Sequence, residues 1–462
     1  MKDEKDTATE RSFRRSVLVV TAFAAFLTPF LGSAVNLALP TIGEDLGASA
    51  IALGWIISSF ILSSAVFLLP FGRLADIAGR KKIFTAGLAL FTISTLLIVF
   101  AWNIVSLIVF RIIQGIAGAM IFGTSLAIIT SVFPAGERGR AMGINVTAVY
   151  LGLSTGPVIG GLLTEFFGWR SLFAFLVPFG IAALVLISTQ IKDEWADSKN
   201  EKFDLTGSLL YGIALFGVMY GFSKLPSPPG WIFLISGTVV GLAFILFERR
   251  SQNPVFNVSL LFRNRIFAFS GIAALINYSA TSAVGFFVSL YLQYLKGFDA
   301  REAGLIMISQ PIAMTLLSPV AGRLSDKYDP GKIASAGMGF TAAGLVALCF
   351  LTPATPVSTI TFILTILGIG FGFFSSPNSN AIMSSVEKRF LGVASGVVGT
   401  MRMVGQMFSM GIAMMLISLF IGNQTINPST FPGFISGMKT GFVIFAVLSL
   451  LGIFASLARN RR

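Results

Sequence analysis

Two arginines, Arg111 and Arg402, stand inside long apolar runs of a 462-residue chain that has one cysteine, Cys349, and no histidine. A guanidinium deep in hydrocarbon costs at least about 2.5–3.5 kcal/mol, so it belongs in a bundle interior or a water-filled cavity. Arg402 lies roughly 15 Å from the nearer end of its run at 1.5 Å per residue, and Arg111 roughly 9 Å from the end of its own. Snorkelling to the interface is a credible account of Arg111 and a poor one of Arg402. Asn36, Asn145, Asn277 and Gln310 add neutral polar groups to other apolar runs. They could line a cavity, or they could hydrogen-bond between helices. The chemistry open to this set is hydrogen bonding and charge contact within a bundle or a cavity, not bond-making. Without histidine the commonest zinc ligand and neutral-pH proton carrier are absent. No metal cluster, phosphate-binding loop or nucleophile–base pair is recognisable, so no enzyme activity, ATP-driven transport, metal or cofactor is expected.

A second group of residues could act as a mechanical latch. The segment Gly72-Arg73-Leu74-Ala75-Asp76-Ile77-Ala78-Gly79-Arg80-Lys81-Lys82-Ile83 recurs from Gly322 to Ile333, with Gly322, Arg323 and Asp326 in the places of Gly72, Arg73 and Asp76. Glycines allow a tight turn and close helix approach. Arg80 can pair with a carboxylate or with helix-end carbonyls. A charge cluster of this kind can be made in one conformation and broken in another. A loop needing only positive charge would not require this Gly/Asp spacing twice.

The elements that carry these residues follow from composition. The chain is 55% apolar and 11% charged, against about a quarter charged in soluble domains. A bilayer core takes about 20 apolar residues per helix, because each backbone polar group must be paired within the segment. Fourteen spans are predicted, near residues 16–38, 50–71, 82–102, 105–130, 141–164, 170–191, 205–223, 231–248, 266–290, 302–322, 333–352, 357–377, 391–420 and 434–458. The first is read as a true span and not a signal peptide, given its length and the many equal runs that follow. Most of the 33 Lys and Arg residues fall on one side, including Arg14, Arg80, Lys81, Arg138, Lys192, Lys199, Arg263, Lys388, Arg389, Arg461 and Arg462. The other side holds only Arg170, Lys224, Lys296, Arg301 and Lys439. This asymmetry puts both termini in the cytoplasm. It also explains the formal charge of +13 without a nucleic-acid partner. Trp102, Trp169 and Trp231 fall at outer span ends, as interfacial anchors do.

The repeated loop divides the chain into two six-span halves around an inserted pair. The expected organisation is an N-terminal bundle (1–191), a linker with two inserted helices (192–264) and a C-terminal bundle (265–462). The inserted pair, poor in polar side chains, reads as a peripheral spacer. In the fifth span Gly152, Gly156 and Gly160 recur every four residues, with Gly161 adjacent. Such a stripe lets a neighbouring helix pack closely, and Pro157 can bend the span. Gly368, Gly370 and Gly372, with Phe373, Phe374, Pro377 and Asn378, mark the twelfth span as flexible and aromatic.

The loop resembles the signature loop of the major facilitator superfamily. Arg111, Gln114 and Gly115 resemble that family's fourth-span motif. Gly152, Gly156, Pro157, Gly160 and Gly161 resemble its fifth-span antiporter motif. The phrases NLALP (Asn36 to Pro40), WRSLF (Trp169 to Phe173), YLQYLKGFDAREAGL (Tyr291 to Leu305) and TMRMVGQMFSMGIA (Thr400 to Ala413) are similar to those of its fourteen-span drug:proton antiporter branch. The resemblance implies an all-α membrane protein of two six-helix bundles plus two inserted helices, working by alternating access. It implies multidrug efflux by antiport across the inner (plasma) membrane, with Arg111, Gln114 and Glu165 as coupling candidates. Asn36, Asn277, Gln310 and Arg402 would line the cavity, and the chain would act as a monomer. Two departures matter. Leu31 stands where the branch carries a first-span Asp, and Leu176 where it carries an Asn. No carboxylate falls in the middle of a span, so coupling must use Glu165, Asp76, another ion, or nothing. Net positive buried charge favours neutral or anionic amphipathic cargo. A selective metabolite exporter and a non-transporting membrane receptor are the alternatives.

Overall fold

The computed structural model describes residues 2–191, 193–196, 201–252, 254–256, 264–386 and 391–459, with side chains described except at 2–12, 135–136 and 391–393. Lys2, Lys5, Arg11, Lys192, Lys199, Arg263, Lys388, Arg389, Arg461 and Arg462 therefore lie outside the described side chains. Among the described residues, 14 helices are long and apolar enough to cross a membrane. They are α1 (Lys2–Leu46), α2 (Ala50–Ala78), α3 (Arg80–Val99), α4 (Ile104–Val132), α5 (Ala135–Phe167), α6 (Trp169–Gln190), α7 (Leu205–Lys224) and α8 (Pro228–Glu248). There follow α9 (Arg265–Leu295), α10 (Ala300–Lys327), α11 (Pro330–Leu348), α12 (Val357–Ser384), α13 (Leu391–Phe420) and α14 (Phe431–Ala458). Two are broken. α9 is interrupted after Thr281 and ends in a π-turn, Tyr291–Leu295, and α10 is interrupted after Met307.

Helices α1–α6 pack among themselves, and so do α9–α14. Small residues set the approach, as expected where lipid supplies no hydrophobic drive between helices. A Cβ on Gly115 of α4 would lie 2.4 Å from the Phe60 carbonyl oxygen of α2, and one on Gly337 of α11 would lie 2.7 Å from that of Gly370 on α12. The two bundles meet along two seams, α2 with α13 and α5 with α10.

The inserted pair differs from its expected role. Its α8 is largely lipid-exposed, which fits a spacer. Its α7, however, touches both bundles. The Tyr211 hydroxyl donates to the Ala65 carbonyl of α2 at 3.1 Å, and Phe222 packs edge-on against Phe408 of α13 at 6.2 Å. The pair is thus seated across the α2–α13 seam. Trp169 is a second correction. Trp102 and Trp231 are exposed as anchors are, but Trp169 is 2% exposed. Its indole N–H donates to Asp45 Oδ2 at 3.0 Å, and Arg170 holds the same oxygen at 2.6 Å. Trp169 is buried at a helix end while its N–H reaches the exposed Asp45, so the ring packs within the bundle and only its polar edge faces outward.

Candidate functional site: the seam between the bundles

The face carrying Arg14 and Arg459 is called proximal here, and the opposite one distal. On the distal side the bundles touch backbone to backbone. A Cβ on Gly161 would stand 2.4 Å from the Ala300 carbonyl oxygen, and one on Gly304 would stand 2.2 Å from that of Pro157. On the other seam the Ala50 N–H donates to the Gln424 carbonyl at 2.9 Å, and Ser58 donates to the Met414 sulfur at 3.2 Å. The Glu165 carboxylate accepts from the Ala300 N–H across the bundles at 3.4 Å. No chain of side chains can slide between backbones this close, so the distal gate is shut.

The fifth-span stripe does what its spacing predicts. Positions where Cβ atoms would stand on Gly152, Gly156 and Gly160 fall 2.6 Å from Phe26 O, 2.7 Å from Phe30 O and 2.5 Å from the Ala34 Cβ, all on α1. Gly161 faces the other way, onto the C-terminal bundle. One helix therefore carries an intrabundle face and a gate face side by side.

Toward the centre the seam is bridged by side chains instead. Tyr150 Oη and Ser318 Oγ are 2.9 Å apart, and Ser154 Oγ and Thr315 Oγ1 are 3.1 Å apart. Arg402 on α13 holds its guanidinium 5.2 Å from the Phe122 ring centre of α4, in the opposite bundle. Its Nε is buried without a partner. Tyr278 of α9 lies within electrostatic reach of Arg402 and Tyr150, and stacks edge-on against Phe371 of α12 at 5.5 Å. Arg402, Phe122, Tyr150 and Phe371 are all partly exposed, so the cation is reachable and has aromatic side chains on or near it. A cation over an aromatic face is stabilised by about 0.5–2 kcal/mol, which offsets part of the cost of depth. Of this set only Arg402 was legible from the sequence. Phe122, Tyr150, Tyr278, Ser318 and Phe371 had no distinguishing local pattern.

The other candidates take different places. Arg111 is 2% exposed and does not snorkel. It donates to the Ile56 carbonyl at 3.0 Å and to Gln114 Oε1 at 2.6 Å, and lies 4.5 Å from the Phe60 ring centre. Gln114 continues the chain to Thr95 Oγ1 at 2.7 Å. Together they staple α2, α3 and α4. Asn36 donates to the Gly32 carbonyl at 3.2 Å, and its own carbonyl accepts from Ser289 of α9 at 2.6 Å. Asn277 is fully enclosed, with both amide atoms unpartnered. Gln310 is half-buried, and its carbonyl presses on Gly368. No described contact gathers Asn36, Asn277, Gln310 and Arg402 into one cluster. Leu31 and Leu176, at the two positions of departure, are each 1% exposed, so apolar packing has replaced polar function there.

On the proximal face a charged, hydrogen-bonded cluster surrounds the first loop. Arg80 donates to Asp76 Oδ1 from both Nε (2.9 Å) and Nη2 (2.8 Å), and to Ser131 Oγ at 2.7 Å. Gly79, at φ +121°, turns the chain where an L side chain would be strained. Two acids that sequence reading passed over complete it. The Glu194 carboxylate accepts from the Lys81 and Lys82 N–H groups at 2.9 and 3.1 Å, capping α3, and Glu201 pairs with Arg73. In the second loop Arg323 and Asp326 are exposed, and Asp326 accepts from Asn380 at 3.4 Å.

A fourteen-helix membrane chain with two bundles meeting around a reachable cation at depth, one gate shut, is a transporter and not an enzyme. Its sequence matches the Major Facilitator Superfamily model over residues 21–410 and 271–462, and the chain belongs to that family. It is 31% identical over 411 residues to the riboflavin transporter RibZ of Clostridioides difficile, covering 89% of each protein. It is 29% identical to the cephamycin export protein CmcT of Amycolatopsis lactamdurans, covering 96% of this chain and 93% of that one. With the tetracenomycin C resistance and export protein of Streptomyces glaucescens it shares 28% over 88% of this chain and 76% of that one. Among solved structures, a bacterial homolog of the human lysosomal transporter Spinster, inward-facing and unoccupied, aligns over 97% of both chains with a TM-score of 0.66 and 18% identity. That likeness is one of fold.

Proposed function

We propose that this protein exports small amphipathic compounds, neutral or anionic, by alternating access between the two bundles (1–191 and 265–462). It would sit in the plasma membrane as a monomer with both termini, and the proximal face, in the cytoplasm. The observation that carries the reading is Arg402: a partly exposed guanidinium at depth, set over Phe122 of the opposite bundle and near Tyr278 of its own, with a buried Nε lacking a partner. Such a group attracts a carboxylate, phenolate or carbonyl and repels a cation. No Asp or Glu lies mid-span among the described residues to serve as counter-ion for a cationic drug. Export names among the relatives support the direction.

Efflux would proceed by opening the Gly161–Ala300 and Gly304–Pro157 contacts while the proximal side closes. The Asp76–Arg80 cluster with Gly72, Arg73 and Gly79, and the second-loop residues Gly322, Arg323 and Asp326, would latch that side. If protons drive exchange, Glu165 and Asp76 are the carboxylates placed at gates, and Arg111 with Gln114 would act by holding the α2–α4 packing. A second reading, selective export of one metabolite, is favoured by the similarity to a riboflavin transporter. Reconstituted protein should be tested in liposomes carrying an internal pH dye, against anionic, neutral and cationic probes of similar size. The proposal expects the first two to move and the cationic probes to lag. Good transport of cationic dyes with none of the anionic ones would refute it, and saturable movement of a single probe would select the second reading.

A further inference from the structure

The proximal base of the inserted pair holds two carboxylates that the transport reading does not use. Asp204 caps α7, and Glu248 ends α8. Glu248 is 3% exposed, and its Oε1 has no hydrogen-bond partner. Its other oxygen accepts a long contact from the Phe256 N–H at 3.5 Å, and the Val255 N–H also faces the carboxylate. Asp204 is far better supplied. Its Oδ1 accepts from the Gly207 N–H at 2.8 Å and its Oδ2 from Ser251 Oγ at 3.1 Å.

Gly207 shows that the two acids converge. The point where its Cβ would stand is 2.6 Å from Glu248 Oε1 and 2.8 Å from Asp204 Oδ2. The two oxygens therefore lie within about 5.5 Å of each other, close enough that a charge on one disfavours a charge on the other. The described groups around them are few. Helix α8 packs on α7, whose one charged residue, Lys224, is at the far end, and whose nearest ring hydroxyl, Tyr211, donates to Ala65. Glu201 and Lys202 precede Asp204 on the exposed side, and Arg249 and Arg250, both exposed, follow Glu248.

We infer that Glu248 and Asp204 form a proton-binding site, with the proton carried on the buried Glu248 Oε1 beside the Asp204 carboxyl. The assignment follows the donors. Asp204 is partly exposed and accepts two good hydrogen bonds, whereas Glu248 Oε1 is buried without a donor, so a charge there costs more than a proton. The site lies outside the central cavity, at the foot of the hairpin that straddles the α2–α13 seam through Tyr211 and Phe222. Losing the proton would place a second charge beneath that hairpin and loosen its base.

Infrared difference spectra of the full chain in lipid, titrated from about pH 5 to about pH 9, read the protonated carboxyl directly. The wild type should show a carboxylic C=O band that bleaches as pH rises, and Glu248→Gln should lack it. Asp204→Asn removes the neighbouring charge and should shift the midpoint of bleaching down-field in acidity, to lower pH, by roughly 1 unit. Glutamine is isosteric, and elution of both variants as monodisperse protein shows that they are folded. The inference fails if Glu248→Gln leaves every carboxyl band in place, or if Asp204→Asn leaves the midpoint unmoved. Bleaching of the band by sodium at constant pH would assign the site to a metal cation and overturn it equally.

Discussion

The two copies of the twelve-residue loop share a sequence but are held by different means. In the first, Arg80 pairs with Asp76 inside the motif, and acids of the interbundle linker, Glu194 and Glu201, grip it from outside. In the second, Pro330 occupies the place of Arg80, 250 positions on. Proline has no N–H to satisfy, so the contact that Arg80 N makes with the Trp195 carbonyl at 2.8 Å has no counterpart to fill. Asp329 caps its own helix through the Gly331 N–H at 2.7 Å. The missing guanidinium is supplied by Arg459 at the end of α14. It donates to Ser270 Oγ (3.0 Å), Asn378 Oδ1 (3.3 Å), Ser456 Oγ (3.0 Å) and the Pro330 carbonyl (3.3 Å). The lesson is mechanical. The C-terminal loop is stapled by its own bundle, while the N-terminal loop is held by the strap that leads to the other half. In the proposed alternating-access cycle, a rocking motion between halves would pull on the first and not on the second.

The comparison can be broken most forcefully at Arg459, which is 3% exposed. Burial pushes its guanidinium down to about 10, with Asp329 opposing that shift, so it is still charged at neutral pH. Arg459→Ala would strand Ser270 and Asn378 in the bundle and should cost about 3 kcal/mol, read as lost thermal stability in detergent. Lysine cannot reproduce the fork of donors and should restore less than half. Asp76→Asn removes a charge-assisted pair whose Arg side chain is 12% exposed, and should cost about 1–1.5 kcal/mol and slow transport several-fold. Asp326→Asn, on an exposed side chain, should stay within about 0.5 kcal/mol in the same measurement. Equal effects of the two would erase the asymmetry. Glu194→Ala uncaps α3 and should cost about 1 kcal/mol, visible as faster amide exchange at Lys81 and Lys82. Glu201→Ala should be the mildest, below about 0.5 kcal/mol, since its carboxylate is 41% exposed and screened by solvent.

What could be seen beforehand follows the range of each signal. Span number, the twofold repeat and the Gly152–Gly156–Gly160 face are periodicities within one segment, so the sequence displays them. Arg402 announces itself because charge in an apolar run is expensive wherever it points. The partners are another matter. Glu194 and Glu201 looked like ordinary linker acids, since nothing local tells a strap from a spacer. Trp169 looked like an anchor because Asp45 is 124 residues away in the chain. Phe122, Tyr150 and Tyr278 are unremarkable among 45 Phe and 7 Tyr until the two bundles are folded against each other.

The alternating-access account rests on the distal gate being a contact that opens. Phe167 on α5 and Arg301 on α10 are exposed beside it, in opposite bundles. Spin labels at Phe167→Cys and Arg301→Cys, in a Cys349→Ala background, report the separation by pulsed electron resonance while flux is measured in the same liposomes. The account predicts one short distance in the resting protein and a second, longer population when a transported anionic or neutral compound is added. A single unchanging short distance in protein that is actively moving cargo would contradict it.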